Sequence, residues 1–449
     1  MIGWEKQLDT IIASATPMGR SGVALIRLSG SEARNITDKL LRKPQDWMDR
    51  IVRFGVIVDR HKNRLDQVLL TYMKAPRSFT GEDVVEISCH GNPLIVDQII
   101  EEAIRCGARL ARSGEFTRRA VENKKLSFLQ AEALNELIHS VSIEGVQVAH
   151  SGLSGKVDQN ELEIREELLD ICAEIEAKMD YPQEDLSYED DQAVSEALLA
   201  IAQKSQEAAD AWRDNRILIQ GAKVTILGPV NAGKSSLFNH LVGSKRAIVN
   251  RRPGTTRDII ERRIILDGID VCFFDTAGIR FSTDDPIEQE GIQMGLDLAK
   301  QSDLCLLVVP VDQSLGIMND VAQKLNRIPL LWIGSHLDKN VDPTFVTDHQ
   351  ISNVTLEGIQ ELRKSIRREL SSGGSRDSKW IALSQRQYDL FLSIASHVTQ
   401  ASNSLTGILG PAVAAEEITQ ALEKLAELRG ENAREQVLDR LFSRFCIGK

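Results

Sequence analysis

The sequence has no run of about 18 consecutive apolar residues, so nothing in it reads as a helix that crosses a membrane. It also lacks a positive balance: 54 Lys and Arg against 65 Asp and Glu leave a formal net charge of -11. Non-specific binding to nucleic acid depends on cations displacing condensed counterions, so a bulk electrostatic grip is disfavoured and any such contact has to be local or supplied by a partner. Closely spaced cysteine pairs, the mark of zinc sites and redox dithiols, are missing too. Cys89, Cys106, Cys172, Cys272, Cys305 and Cys446 are scattered. The opening MIGWEKQLDTIIASATP lacks a basic region followed by an apolar core. The expectation is therefore a cytoplasmic protein with no membrane partner.

What is present fits a soluble globular chain: 42% hydrophobic and 27% charged residues. Its 449 residues predict two to four domains, at about one per 100 to 200 residues. Up to residue 120, short apolar runs (GVALIRLSG, FGVIVD, QVLLTYM, DVVEISCHG) mix with the helical PLIVDQIIEEAIRCGA, which predicts a compact α+β domain. Residues 121–215 turn Ala- and Glu-rich, with Ile164, Leu168, Ile171, Ile175 and Met179 spaced to share one helix face. Similar spacing returns in 379–449, where Ile418, Leu422 and Leu425 follow Pro411. Such stripes normally serve a core. Between them, 216–378 alternate strands (KVTILG, DLCLLVVP, PLLWIGS) with helices and include RIILDGIDVCFFD, a hairpin turning at Asp267-Gly268. The expectation is an α/β domain on a largely parallel sheet, inserted into one discontinuous helical domain.

The strongest motif is GPVNAGKSS, in which Gly228, Gly233, Lys234 and Ser235 fit GxxxxGK[ST] between the strand VTILG and the helix SSLFNHLV. Backbone N–H groups of such a loop cradle phosphates, the lysine reaches the outer ones, and the hydroxyl ligates Mg²⁺. DTAG, residues 275 to 278, follows a second strand, and Thr255-Thr256 lie between the two motifs, in the order of a GTPase site with its switch threonine. Ile279 stands where many small GTPases carry the glutamine that orients the attacking water. Hydrolysis then needs another group or hardly occurs. Glu288, in DDPIEQE, is either that carboxylate or a solvated residue at a helix start.

The segments DTIIASATPMGRSGVALIRLSG, FTGEDVVEISCHG, GEFTRRAVENKKLSFLQAEAL, NAGKSSLFN, GTTRD, DTAGIR and FCIGK, in that order, closely resemble the MnmE/TrmE family. These are tRNA modification GTPases that act on the wobble uridine with an FAD-binding partner, MnmG/GidA. The resemblance implies a multidomain α+β and α/β architecture: an N-terminal folate-binding domain that forms a homodimer, a discontinuous α-helical domain, and an inserted Ras-like P-loop GTPase domain. It implies a carboxymethylaminomethyl or aminomethyl group added at C5 of the uridine, using a one-carbon unit from 5-formyl- or 5,10-methylene-tetrahydrofolate.

The GTP contacts it implies are Asn231, Ala232, Gly233, Lys234, Ser235 and Ser236, then Thr255 and Thr256, then Asp275, Thr276, Ala277 and Gly278, and finally Ser335, His336, Asp338, Ser352 and Asn353. Mg²⁺ ligands map to Ser235 and Thr256, K⁺ ligands to Asn231, Asn250, Arg252 and Thr255, and the catalytic glutamate to Glu288. Arg27, Glu86, Lys125 and Lys449 match the folate positions, although each alone reads as an ordinary surface charge. A carboxylate accepts paired hydrogen bonds from a pterin, and cations suit the carboxylates of its glutamate tail. The tail SRFCIGK is expected to fold back and present Cys446 there as a catalytic thiol.

Three motifs depart from the family pattern. NKxD appears as Ser335-His336-Leu337-Asp338, the later Ser-Ala pair as Ser352-Asn353, and the threonine of the potassium loop as Asn250. Serine is shorter than asparagine, so Ser335 is expected to lose a contact with the base or the phosphate loop. The competing function, a switch in ribosome assembly without carbon chemistry, predicts a basic RNA-binding module beside the GTPase domain, and the sequence offers none.

Overall fold

A computed structural model describes residues 9–180, 191–243, 259–276, 293, 295–311, 316–325, 328–338, 347–370, 379–406, 410–431, 442–443 and 448. The chain forms two compact units, Met1–Asn135 with Leu422–Lys449, and Glu136–Ala421.

The first unit is built on β1 (Ile11–Ser14), β2 (Ser21–Ser29), β3 (Val52–Val58), β4 (Arg64–Met73), β5 (Val84–Gly91) and β6 (Arg109–Leu110), in the order β3-β4-β5-β2-β1-β6. Only β1 and β6 pair in parallel. Alternation sets the faces: Val68, Leu70 and Tyr72 of β4 are buried while Gln67 and Leu69 are exposed. The inward face packs on α1 (Ala33–Leu40) and α2 (Pro93–Arg105) through Ile26, Leu28, Ile36, Ile87 and Ile99. Helix α2 starts where the sequence allows it, with Asn92 accepting from Leu94 N at 3.1 Å and Pro93 in the first turn. On the opposite side of β1, Ile11 and Ala13 pack with Phe116 of α3 (Glu115–Glu122) and with Phe79.

An ion-pair lattice pins α3 to this sheet. Arg119 reaches Asp9 at 2.8 Å, Glu115 at 3.1 Å and Glu82 at 3.1 Å, and Glu82 also accepts from Ser29 Oγ at 2.6 Å. Burial works to raise the Glu115 carboxyl, but hydrogen bonds and charge from Arg109 and Arg119 outweigh it and hold that carboxyl below its ordinary range.

The second unit carries the end of α4 (Phe128–His139), then α5 (Ile143–Leu153), α6 (Lys156–Asp180) and α7 (Asp191–Gln220). On α6, Ile164, Leu168 and Ile175 are buried as the spacing predicts, but Cys172 takes the position expected of Ile171, which is half-buried, and Met179 is 44% exposed. Periodicity fixes a stripe's direction, whereas burial depends on where the neighbouring helices pack, and the last turn of α6 gains little cover. The sheet of this unit joins β7 (Ala222–Leu227), β8 (Ile259–Leu266), β9 (Ile269–Thr276), β10 (Leu304–Pro310), β11 (Leu330–Ser335) and β12 (His349–Gln350), ordered β12-β11-β10-β7-β9-β8. All its pairings are parallel except β8–β9, which turn through Asp267 (φ 46°) and Gly268 (φ 90°) as the sequence predicts.

Helices α8 (Lys234–Val242) and α10 (Ile359–Glu369) cover one face of this sheet, and α9 (Gly316–Lys324) the other. Both faces being covered, β10 (LCLLVVP) is buried along its whole length. Helices α11 (Gln385–Thr406) and α12 (Pro411–Leu428) follow, with Ile418 and Leu425 buried and Leu422 half-buried.

Gly145 lets α5 approach the end of α7. An ideal Cβ built there would lie 2.3 Å from the Leu218 carbonyl oxygen, while Ser142 Oγ accepts from Gly145 N at 2.9 Å and donates to that same carbonyl at 2.6 Å. Alanine normally favours a helix over glycine, but here the overlap reverses the sign. Gly145→Ala is expected to cost about 1 to 3 kcal/mol and to lower the unfolding midpoint. Scanning calorimetry checks it, and an unchanged or raised midpoint would mean that the two helices part easily.

Candidate functional site

Strands β7, β9, β10 and β11 run parallel, so their carboxyl ends share one edge of the sheet, where ligands of such sheets bind. From the end of β7, residues 228–233 turn into α8, with Asn231 (φ 63°) and Gly233 (φ 82°) both left-handed. That turn leaves the amides at the start of α8 free to face a phosphate. Ser235 and Ser236 are exposed in the first turn of α8, while Ala232 is buried.

Lys234 is only 4% exposed, and its Nζ donates to the Pro229 carbonyl at 2.6 Å. Burial pushes its amine down from the ordinary 10.5 to about 8, against the pull of Asp275. Pairing of Ile226 with Asp275 sets that aspartate at the end of β9 beside the loop. Asp275 is 1% exposed, and neither carboxylate oxygen has a hydrogen-bond partner among the described residues. A buried carboxylate is costly unless something satisfies it. Two orphaned oxygens near a lysine and a helix start fit a hydrated Mg²⁺ carried by a nucleotide. Thr276 ends β9 next to it.

At the end of β11, Ser335 is fully buried and its Oγ finds no partner among the described residues. His336 is left-handed (φ 65°), with Nε2 3.6 Å from the position of an ideal Cβ on Gly233, so its ring lies against the phosphate loop. Ser352 Oγ donates to Asp338 Oδ1 at 2.8 Å and accepts from Val354 N and Thr355 N at 3.2 and 3.1 Å. Asn353 Nδ2 donates to the Gly233 carbonyl at 3.1 Å. The expected loss at Ser335 is thus accompanied by a contact from Asn353 that sequence reasoning missed.

In the first unit, Arg27 and Glu86 are register partners on β2 and β5. Arg27 Nε and Nη2 donate to Glu86 Oε1 at 3.0 and 2.7 Å. The guanidinium lies 5.8 and 5.9 Å from the ring centroids of Phe79 and Phe116, and Nη1 donates to the Gly448 carbonyl at 3.4 Å. Lys125 lies against Gly81, two residues after Phe79: an ideal Cβ on Gly81 would lie 3.2 and 3.4 Å from Lys125 Cγ and Cδ. Charged groups and two aromatic faces thus meet at one place, chemistry suited to a flat heterocycle with an acidic tail. The aromatic pair was missed in the sequence, although Phe79 opens the quoted FTGED.

Asn250, Arg252, Thr255, Thr256, Ala277, Gly278, Glu288, Cys446 and Lys449 lie outside the described residues. Among those described, no helix is long and apolar enough to cross a membrane, and the five cysteines are free thiols.

Residues 10–125 match the family model described as GTP-binding protein TrmE N-terminus, and residues 128–446 match the MnmE helical domain. The tRNA modification GTPase MnmE of Synechococcus sp. (strain CC9605) is 38% identical over 452 residues, spanning 98% of this chain and 99% of that protein. The protein of the same name from Legionella pneumophila (strain Corby) is 36% identical over 449 residues, spanning 98% and 100%. Among solved structures, the G domain of the T. maritima FeoB iron transporter is 25% identical, covers 33% of this chain and 98% of that one, and has a TM-score of 0.28, a likeness too slight to argue from.

Proposed function

As this chain belongs to the MnmE family of tRNA modification GTPases, we propose that it hydrolyses GTP in the second unit and couples that turnover to modification of the wobble uridine. The added group is carboxymethylaminomethyl or aminomethyl at C5, with a one-carbon unit from tetrahydrofolate held in the first unit. A flavoprotein of the MnmG/GidA kind is the partner, and the working form is a homodimer. We place the domain limits at 1–120, 121–215, 216–378 and 379–449.

The observation that carries the reading is a buried Lys234 whose charge is favoured by a buried Asp275, the oxygens of which have no hydrogen-bond partner among the described residues. Lys234 neutralises the outer phosphates, and the amides at the start of α8 bind their oxygens. Ser235 and Thr256 would hold Mg²⁺, and the Asp275 carboxylate would face it. Asn231, Asn250, Arg252 and Thr255 would hold K⁺ through their oxygens. Bound there, the two cations would supply electrostatic stabilisation of charge on the phosphates. Glu288 orients water in place of the glutamine that Ile279 replaces. Asp338, braced by Ser352, accepts from the ring N–H and amine of guanine, a pattern adenine lacks. Arg27, Glu86, Lys125 and Lys449 bind the folate, and Cys446 serves as a thiol beside it.

GTP turnover by the full chain, measured in K⁺ and in Na⁺, tests the nucleotide half. Turnover is expected to need K⁺ and to fall about 100-fold in Glu288→Ala. Equal rates in the two salts, or an unaffected mutant, would remove this mechanism. Mass spectrometry of tRNA nucleosides from cells lacking the protein tests the other half.

A further inference from the structure

We propose that Asn353 is the positioning residue that ties the base-reading loops to the phosphate loop in this chain, a tie that Ser335 is too short to make. The proposal rests on the nucleotide-site reading above and adds to it a residue acting through Gly233.

Two observations carry it. Ser335, at the carboxyl end of β11, is fully buried, and its Oγ has no partner among the described residues. The position therefore points inward without a bond to any described residue. Asn353 arrives from the neighbouring turn and bonds where Ser335 does not: Nδ2 donates to the Gly233 carbonyl at 3.1 Å, across 120 positions of sequence. The amide is seated closely, since an ideal Cβ on Gly233 would lie 2.6 Å from Nδ2. A second contact fixes the same residue, because His240 of α8 lies with Nε2 3.0 Å from the Asn353 carbonyl. A carbonyl only accepts, so Nε2 carries the proton there. Both bonds land on the phosphate loop or on the helix that begins in it.

Neighbouring bonds extend the frame to the base. Ser352, adjacent to Asn353, holds Asp338 at 2.8 Å, and Leu337 N donates to the Ile351 carbonyl at 3.1 Å. The segment 351–353 thus holds Asp338 with one side chain and the phosphate loop with the next. A nucleotide spans both subsites, so a fixed spacing between them removes ordering that binding would otherwise have to impose. Loss of this tie should appear chiefly as faster release of nucleotide.

The test is stopped-flow release of N-methylanthraniloyl-GDP from the full chain, in the wild type, Asn353→Ala, Ser335→Asn and the double variant. Asn353→Ala should release the probe about fivefold faster, the usual net value of one hydrogen bond. Ser335→Asn alone should change little, as the tie is already made. In the double variant the new asparagine should take over and return the rate close to that of the wild type. A generally weakened fold would not be repaired by that second change. The loss should also fall on KM for GTP more than on kcat, as for binding shared by ground and transition states. Equal release from wild type and Asn353→Ala overturns the proposal, as does faster release that Ser335→Asn leaves uncorrected. A wild type that does not bind the probe would instead strike the nucleotide-site reading itself.

Discussion

Lys234→Ala is expected to lower kcat/KM for GTP by about 1,000-fold or more, because it removes a fixed charge from a site with little water to replace it. The same lysine predicts a proton effect in the wild type. Burial lowers its amine to about 8 when no nucleotide is bound, so above that pH most of the empty protein holds it neutral. Phosphates favour the charged form, so binding at pH 8 takes up about half a proton from solution, and affinity falls as pH rises past 8 towards the amine's pKa in the complex. The empty protein shows the opposite trend. A pKa depressed by folding means that the unfolded chain binds more protons between about 8 and 10.5, so this group's penalty is full below 8 and relieved across that window. Titration calorimetry with GDP at pH 8, in two buffers of different ionisation enthalpy, reads the proton directly. Identical heats in the two buffers would mean that the lysine is charged before the ligand arrives.

Gly448→Ala is expected to abolish the wobble-uridine modification while leaving GTP turnover untouched. Gly448 is buried with φ 95°, a left-handed backbone that alanine resists. An ideal Cβ would sit 2.0 Å from the Ser14 carbonyl oxygen and 3.0 Å from Ala15 Cα, both parts of the backbone at the end of β1. Gly448 has to leave, and the carbonyl that accepts from Arg27 leaves with it. Folate affinity should fall with the modification, since the proposed site loses one wall. Nucleoside mass spectrometry on cells carrying the variant, with a folate titration of the purified protein, checks both. Normal levels of the modified uridine would show the site to be complete without the tail.

What the sequence made legible was mostly local. The phosphate loop could be placed because strand, left-handed turn and helix start occupy consecutive residues, and the β8–β9 hairpin because Asp267-Gly268 supplies its own turn chemistry. The helical stripe was legible in direction, but Cys172 and Met179 show that its burial depends on neighbours the stripe does not encode. Arg27 and Glu86 were reached through resemblance alone, since no periodicity pairs residues 59 positions apart. The bond from Asn353 to Gly233 was out of reach for the same reason. Sequence marked Asn353 only as a departure from a pattern, and only the packing of two loops reveals what that departure does.

The contact between Arg27 and Gly448 joins residues 421 positions apart, and that separation orders the birth of the protein. Closing so long a loop adds little free energy, because the entropic cost grows only with the logarithm of length. It does cost time. A chain made at about 5 to 20 residues per second emits Arg27 roughly 20 to 80 s before its partner glycine. Every residue of the nucleotide site leaves the ribosome inside that interval. A nascent chain can therefore hold the parts of a GTP switch while the face around Arg27 still stands open. Only when Gly448 has been made does Arg27 gain the carbonyl that completes its set of contacts.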